Sequence, residues 1–327
     1  MVATLDVRGL IVELPTRTGW VRPVNDVTFS LAEGETLGIV GESGSGKTML
    51  GMALMGLEPP GARRRGEAWL ENRDTAADNR ATNLLTASPE EMRALRGREI
   101  AMVFQEPMTA LNPVVRVGAQ VEEAIRVHAP ELGANDIERR AIEALKRAAV
   151  PEPEIRARQY PHQLSGGLRQ RVLIAMALAA GPGVLIADEP TTALDVTVQK
   201  QILELLAQLR RDLRLSLLFI THDLGVVAQI ADRVVVMYAG RIVEEGRAGD
   251  VIRKPRHPYT QGLLRAAPRL TREKLVPIPG AVPSLDALPK GCAFGPRCAQ
   301  HIVECDAGVP ALRDAAQDQR ARCILVP

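Results

Sequence analysis

Eight residues, GESGSGKT from Gly41 to Thr48, combine glycine, lysine and threonine in the spacing G-x-x-x-x-G-K-[ST]. Such a run can cradle phosphate. Gly44 and Gly46 let successive backbone N–H groups turn inward around a triphosphate, Lys47 reaches its β- and γ-phosphates, and the Thr48 hydroxyl ligates Mg²⁺. The helix beginning near Lys47 adds its positive N-terminal end to the same anion. Gly41, Ser43, Gly44, Ser45, Gly46, Lys47 and Thr48 are therefore the residues expected to hold ATP or GTP. A plain Gly/Ser turn between a strand and a helix has the same texture, so the motif needs company.

Two further runs supply it. In VLIADEP, Val184 to Pro190, four apolar residues precede two acids, as in a buried strand whose carboxylates emerge at a phosphate site. Asp188 is expected to hold Mg²⁺, directly or through water, and Glu189 to accept a proton from the water attacking the γ-phosphate. A strand ending in a solvated turn would look alike, and the phosphate loop upstream favours the Mg²⁺ reading. In LSGGLRQR, Leu164 to Arg171, Ser165, Gly166 and Gly167 precede a helical stretch, where they offer an anion a hydroxyl, unhindered amides and a helix N-terminus.

The elements that must position these groups alternate along the chain. Apolar runs of strand length lie at Val24 to Leu31, Thr36 to Val40, Ile100 to Phe104, Val184 to Ala187, Leu215 to Ile220 and Val234 to Tyr238. Helical periods lie between them, as in Val196 to Leu213, where Val198, Ile202, Leu205, Leu206 and Leu209 share a face. Alternation of this kind predicts an α/β fold with a largely parallel sheet and the nucleotide at the carboxyl ends of the strands. Between Glu106 and Ala180 strand-like runs give way to helical stretches, Gly118 to Val127 and Ile137 to Ala149, which predicts an inserted helical subdomain. Eight prolines within the 42 residues from Pro255 to Pro296 predict an irregular extension leading to a small C-terminal unit.

Composition narrows the partners. With 327 residues and 46% hydrophobic content the chain can bury one large core plus an appendage. Basic and acidic residues number 41 and 39, so bulk charge gives nucleic acid no purchase, and 3% aromatics leaves little for stacking on single strands. No stretch reads as a membrane span: Val172 to Ala187 is broken by Gly181-Pro182-Gly183 and bounded by Arg171 and Asp188, giving a helix, a turn and a buried strand. Asp6 and Arg8 stand where a signal peptide needs its apolar run, so a cytosolic chain with at most a peripheral membrane role is expected.

LSGGLRQR resembles the signature sequence of ATP-binding cassette proteins, with Leu168 at a position that varies in that family. Matching segments stand in the family's order: MVFQEP with a Q-loop-like Gln105, TTALD with a D-loop-like Asp195, and ITHD with a switch-like His222. Without those neighbours, Gln105 reads as a polar strand end and His222 as a structural residue beside Asp223, a candidate helix cap. The resemblance, which runs to about Arg253, implies a P-loop NTPase (RecA-like) α/β core with an N-terminal antiparallel β subdomain, an inserted α-helical subdomain and a small irregular C-terminal extension. On that basis the nucleotide-binding core comprises 1–105 and 181–253, the helical signature subdomain 106–180, and the extension 254–327. Glu189, His222 and Gln105 become the implied catalytic residues. Thr48, Gln105 and Asp188 become the Mg²⁺ set, and Ser165, Gly166, Gly167, Gln170 and Asp195 join the ATP contacts. The family also implies an aromatic on adenine; Trp20 is the only aromatic before Phe29, at a shorter offset from Lys47 than the usual one.

The tail indicates the branch. RHPYTQGLLRAAP, Arg256 to Pro268, and LPKGCAFGPRCA resemble the ends of ATPase subunits of dipeptide, oligopeptide and nickel importers. All four cysteines, Cys292, Cys298, Cys305 and Cys323, fall in the last 36 residues. Their spacing leaves zinc, an iron–sulfur cluster and unligated thiols open, and the subfamily resemblance implies a 4Fe-4S cluster on these four ligands, with zinc as the alternative. The implied protein is the ATP- and Mg²⁺-dependent motor of a peptide importer at the cytoplasmic face of the inner membrane. Nickel, glutathione or another small solute are alternative cargoes. Its implied partners are a second, related but different ATPase subunit, two transmembrane permease subunits and an extracytoplasmic solute-binding protein, with no nucleic acid. A non-transport cassette ATPase of DNA repair or translation is the rival class, although the chain has neither a long coiled coil nor two tandem cassettes.

Overall fold

The computed structural model describes residues 3–17, 19–72, 81–105, 110–192, 194–266 and 277–326. The chain forms two compact units. One comprises residues 1–5, 31–35 and 70–218, the other residues 6–30, 36–69 and 219–327. The expected subdomain start at Glu106, Pro107 of the Q-loop-like segment, Ala193 of TTALD and the end of the run to Pro268 lie outside the described residues.

In the second unit a sheet forms in the order Arg313–Ala316, Gln319–Ala321, Arg241–Arg247, Arg233–Tyr238, Thr36–Val40. Its last pair is parallel, Leu37 opposite Arg233 through Val40 opposite Val236, and the others are antiparallel. Every residue of Thr36–Val40 is buried, as befits a parallel strand covered on both faces. The C-terminal residues thus extend the sheet that carries the phosphate-loop strand. Most of the long strands Ala3–Thr16 and Gly19–Ala32 also belong to this unit. Val27, Phe29 and Leu31 alternate inward, and the parity change from Val24 coincides with Asp26, whose φ of 60° marks a left-handed kink.

In the first unit Ile100–Val103 pairs in parallel with Val184–Asp188, and both strands are buried throughout. Around them stand helices at Val117–Arg126, Ala134–Arg147, Pro153–Ala157, Gly166–Leu178 and Val196–Leu213. Their buried stripes follow helical spacing: Val117, Val121 and Ile125 on one, Ile137, Ala141 and Leu145 on the next. The helix predicted over 196–213 has those bounds, with Ile202, Leu205, Leu206 and Leu209 buried. Among the described residues of the proline-rich stretch, Pro258–Ala266 forms an α-helix; a proline at its first position costs no hydrogen bond.

Ahead of that helix lies a buried polar hub. Glu244 accepts hydrogen bonds from the backbone N–H groups of Arg256 (2.7 Å) and His257 (2.9 Å) and from Gln319 Nε2 (2.7 Å). His257 is 1% exposed, and its Nδ1 accepts from the Tyr259 N–H at 3.1 Å. Burial pushes the His257 pKa down to about 4; a hydrogen bond with the Arg322 backbone opposes this and the Arg322 charge reinforces it. The unfolded imidazole titrates near ~6.5, so the folded state binds fewer protons between those values. The contribution of neutral His257 to stability is therefore complete above about pH 6.5 and is lost as pH falls toward 4, on the order of 3 kcal/mol. Burial raises the Glu244 pKa, which works in the opposite sense. Urea unfolding of wild type and His257→Asn between pH 7 and 4.5 isolates the histidine term: the variant is expected to lose less stability than wild type on acidification.

Candidate nucleotide site

Gly41, Gln105, Asp188, Glu189 and His222 lie at or just beyond the carboxyl ends of strands, whereas Ser165 and Asp195 stand at helix N-termini. After Val40 the chain turns through Gly41–Gly46 into the helix Lys47–Met55. A Cβ on Gly41 would collide with the Met237 carbonyl, and one on Gly46, at φ 102°, with the Pro23 carbonyl. Close backbone approach thus requires glycine at both positions, and the positive φ of Gly46 requires it there a second time. The helix starts without a side-chain cap and with no acid in its first turn, so its N-terminal dipole is left to an anion. Lys47 is 4% exposed, and its Nζ donates to the Gly41 (2.7 Å) and Glu42 (3.0 Å) carbonyls. The Thr48 hydroxyl-bearing side chain is exposed.

The loop is braced from behind. The Gly240 N–H donates to the Ser45 carbonyl at 3.0 Å and the Asn25 N–H to the Gly240 carbonyl at 2.8 Å. The Glu42 N–H donates to the Tyr259 hydroxyl at 2.8 Å, and the Arg297 guanidinium grips both Glu42 carboxylate oxygens at 2.7 and 3.0 Å. Sequence reasoning missed Glu42, Tyr259 and Arg297 as contributors to the loop. The two C-terminal residues sit in runs that were informative only as marks of a subfamily.

His222, in the same unit, is exposed just after the strand Ser216–Thr221. Asp223 caps the helix Leu224–Ile230 as expected, accepting from the Gly225 N–H at 2.7 Å. Trp20 is 43% exposed, and the Arg63 guanidinium lies over its ring, 3.9 Å from the centroid. One face of that indole is therefore already engaged by a cation.

The first unit holds the carboxylates. Asp188 ends its strand at 1% exposure, and Glu189 follows in the left-handed region at φ 45°. A residue with a Cβ pays on the order of 1 kcal/mol for that conformation. Neighbouring bonds hold it: the Thr192 N–H donates to the Glu189 carbonyl at 3.1 Å, and Glu189 Oε2 accepts from Thr192 Oγ1 (2.8 Å) and Gln105 Nε2 (3.1 Å). Gln105 and Glu189, 84 positions apart, are thus brought together. Thr192 is a partner that the sequence reading did not single out.

Ser165 and Gly166 are exposed at the start of the helix Gly166–Leu178, with Ser165 Oγ accepting from the Leu168 N–H at 3.4 Å. Gly167 faces Val198 of the helix Val196–Leu213, whose Cγ1 would lie 2.6 Å from an added Cβ. Gln170 is buried. Asp195 caps the helix Val196–Leu213, accepting from the Thr197 (3.0 Å) and Val198 (2.9 Å) N–H groups.

The cysteines correct an expectation. Cys292, Cys298, Cys305 and Cys323 are free thiols, and among the described residues no group of three or more His, Cys, Asp or Glu side chains is placed to hold a metal ion. The expected 4Fe-4S cluster is therefore withdrawn, and zinc gains no support either. Cys323 instead packs into a small apolar core with Ala321 and Val326, and the Cys305 carbonyl accepts the Cys292 N–H at 2.8 Å. Burial raises the thiol pKa of Cys292 and of Cys298. Cys323 behaves as a small hydrophobic residue.

Comparison with known proteins agrees with this geometry. The family model described as ABC transporter matches residues 24–192, and that described as Oligopeptide/dipeptide transporter, C-terminal region, matches residues 243–305. The oligopeptide transport ATP-binding protein OppD of Bacillus subtilis is 50% identical over 298 residues, covering 90% of this chain and 80% of the relative. The dipeptide transport ATP-binding protein DppD of the same organism is 45% identical over 329 residues, 99% of this chain and 95% of the relative. Among solved structures, the dimeric post-hydrolysis state of an ATP-binding cassette bound to ADP and phosphate aligns at a TM-score of 0.64. It is 28% identical, covering 75% of this chain and 98% of that one. A glycine-bound phosphate loop, a strand-end acid pair and these matches lead to one conclusion: the chain belongs to the ABC transporter family, in the branch that carries the oligopeptide/dipeptide C-terminal region.

Proposed function

We propose that this chain is the ATP-hydrolysing subunit of an importer for dipeptides and oligopeptides, seated peripherally at the cytoplasmic face of the inner membrane. One observation carries the reading: a match to the ABC transporter family is joined to an oligopeptide/dipeptide transporter C-terminal region, in a chain alike over 99% of its length to a dipeptide transport ATP-binding protein. No helix among the described residues is long and apolar enough to cross a membrane. The passage is assigned to two permease subunits, fed by an extracytoplasmic solute-binding protein. We assign nucleotide binding to residues 1–105 and 181–253, the signature and permease contact to 106–180, and an extension to 254–327.

The chemistry follows from the residues. The 41–46 amides, Lys47 and the uncapped helix N-terminus bind the phosphates of ATP. The Thr48 hydroxyl, the Gln105 amide oxygen and the Asp188 carboxylate are hard oxygen donors suited to Mg²⁺, which neutralises charge on the phosphates. Glu189, oriented by Thr192 and Gln105, takes the proton of the attacking water, and His222 orients water and γ-phosphate. Ser165, Gly166 and Gly167 serve the ATP held by a second cassette, a related but different chain, and Gln170 and Asp195 belong to the same interface. The related dimeric cassette supports that pairing.

Three substitutions separate the roles. Lys47→Ala is expected to weaken ATP binding roughly a hundredfold, since it deletes charge-assisted bonds to phosphate. Glu189→Gln is expected to bind ATP normally while turnover drops about a hundredfold or more, the scale of a lost general base. Equal loss of binding in both refutes this division. Ser165→Ala is expected to spare binding by the isolated chain and to lower ATPase turnover only in the assembled transporter; unchanged turnover there removes the two-cassette arrangement. Copurification with two hydrophobic permeases and peptide uptake by cells test the transport role. A chain that purifies alone and is stimulated by DNA or ribosomes overturns it.

A further inference from the structure

Three of the chain's nine Trp, Tyr and Phe residues gather behind the phosphate loop, in a protein otherwise poor in aromatics. Tyr238 and Tyr259 have ring centroids 4.6 Å apart, and Phe294 stands edge-on to Tyr238 at 5.3 Å. Tyr259 and Phe294 come from the region after Arg253, as does Arg297, which closes the short turn Gly295–Arg297. The Arg297 side chain is only 5% exposed. Its Nε donates to the Pro279 carbonyl at 2.8 Å, and its two terminal nitrogens hold Glu42 in a forked pair. Few guanidinium groups are buried this deeply without a position to defend.

That position is the second residue of the phosphate loop. Glu42 is fixed at both ends, its N–H by the Tyr259 hydroxyl and its carboxylate by Arg297. The Glu42 and Gly41 carbonyls in turn hold Lys47 Nζ. A rigid chain of bonds therefore runs from Arg297 and Tyr259 through Glu42 to the ammonium that meets the phosphates. Charge adds a second reason. A carboxylate inside a polyanion cradle repels its ligand unless a cation is paired with it, and Arg297 supplies that cation.

We propose that Arg297 and Tyr259 are positioning residues for the phosphate loop, so that the C-terminal region sets the affinity for ATP by holding and neutralising Glu42. The inference rests on the reading that this loop binds ATP. Each acts through Glu42.

The test measures binding of ATP·Mg²⁺ to the full chain by calorimetry and the steady-state ATPase constants of the assembled transporter. Arg297→Ala is expected to raise Kd and KM about tenfold with kcat little changed, the scale of one charged hydrogen-bonded pair. Tyr259→Phe, which removes only a hydroxyl, is expected to raise them about threefold. Arg297→Lys, retaining charge but not the fork, is expected to fall between wild type and Arg297→Ala, and it carries the test with Tyr259→Phe if the alanine variant fails to fold. Adding Arg297→Ala to Glu42→Gln is expected to cost little more than Glu42→Gln alone; fully additive losses overturn the coupling. Wild-type affinity in both Arg297→Ala and Tyr259→Phe, with Lys47→Ala defective, overturns the positioning role alone. Wild-type affinity in Lys47→Ala overturns the underlying assignment of the loop.

Discussion

The phosphate loop keeps its curvature because two carbonyl groups occupy the space where any side chain at Gly41 or Gly46 would stand. Met237 and Pro23 supply them, from segments far away in the chain. Everything that gives the loop its chemistry depends on that close approach. The turn it enforces brings the Gly41 and Glu42 carbonyls to Lys47, and a buried ammonium is tolerable only with such acceptors around it. The helix that follows keeps its first amides unspent on side chains.

The carboxylate strand solves a related problem by other means. Asp188 and Glu189 end an apolar strand buried along its whole length, so the chain must change direction at once. Glu189 does so in the left-handed region, a conformation more natural to glycine, and the bonds from Thr192 and Gln105 offset its cost. Orientation of the carboxylate and distortion of the backbone are thus one feature.

The C-terminal region is more than an appendix to the cassette. Its strands Arg313–Ala316 and Gln319–Ala321 extend the sheet, its helix Pro258–Ala266 brings Tyr259 to the loop, and the Glu244 hub ties Arg256, His257 and Gln319 together. The cysteines belong to this packing. Four thiols crowded near turns suggest a metal when read as letters, whereas their burial raises the thiols of two and places a third in an apolar core.

Local chemistry was legible in the order of residues. The glycine spacing of 41–46, the apolar run before Asp188 and the period of 196–213 each favour a local backbone, and the strands Thr36–Val40 and Val184–Asp188 and the helix Val196–Leu213 lie where those patterns place them. Less visible were the long strand Ala3–Thr16, whose buried alternation of Leu5 and Val7 changes parity at Gly9 before Leu10 and Val12, and the two short C-terminal strands, which lack an apolar period. Residue types and short spacings thus determined the family and the strand ends at which the candidate site stands. Tertiary structure alone decided that Arg297 would neutralise Glu42 across 255 positions, that Gln105 would meet Glu189 across 84, and that Cys323 would pack in an apolar core. The reason is physical: a phosphate loop or a strand end is a property of neighbouring backbone, while an ion pair or a metal site exists only when the fold brings distant side chains within a few ångströms of each other.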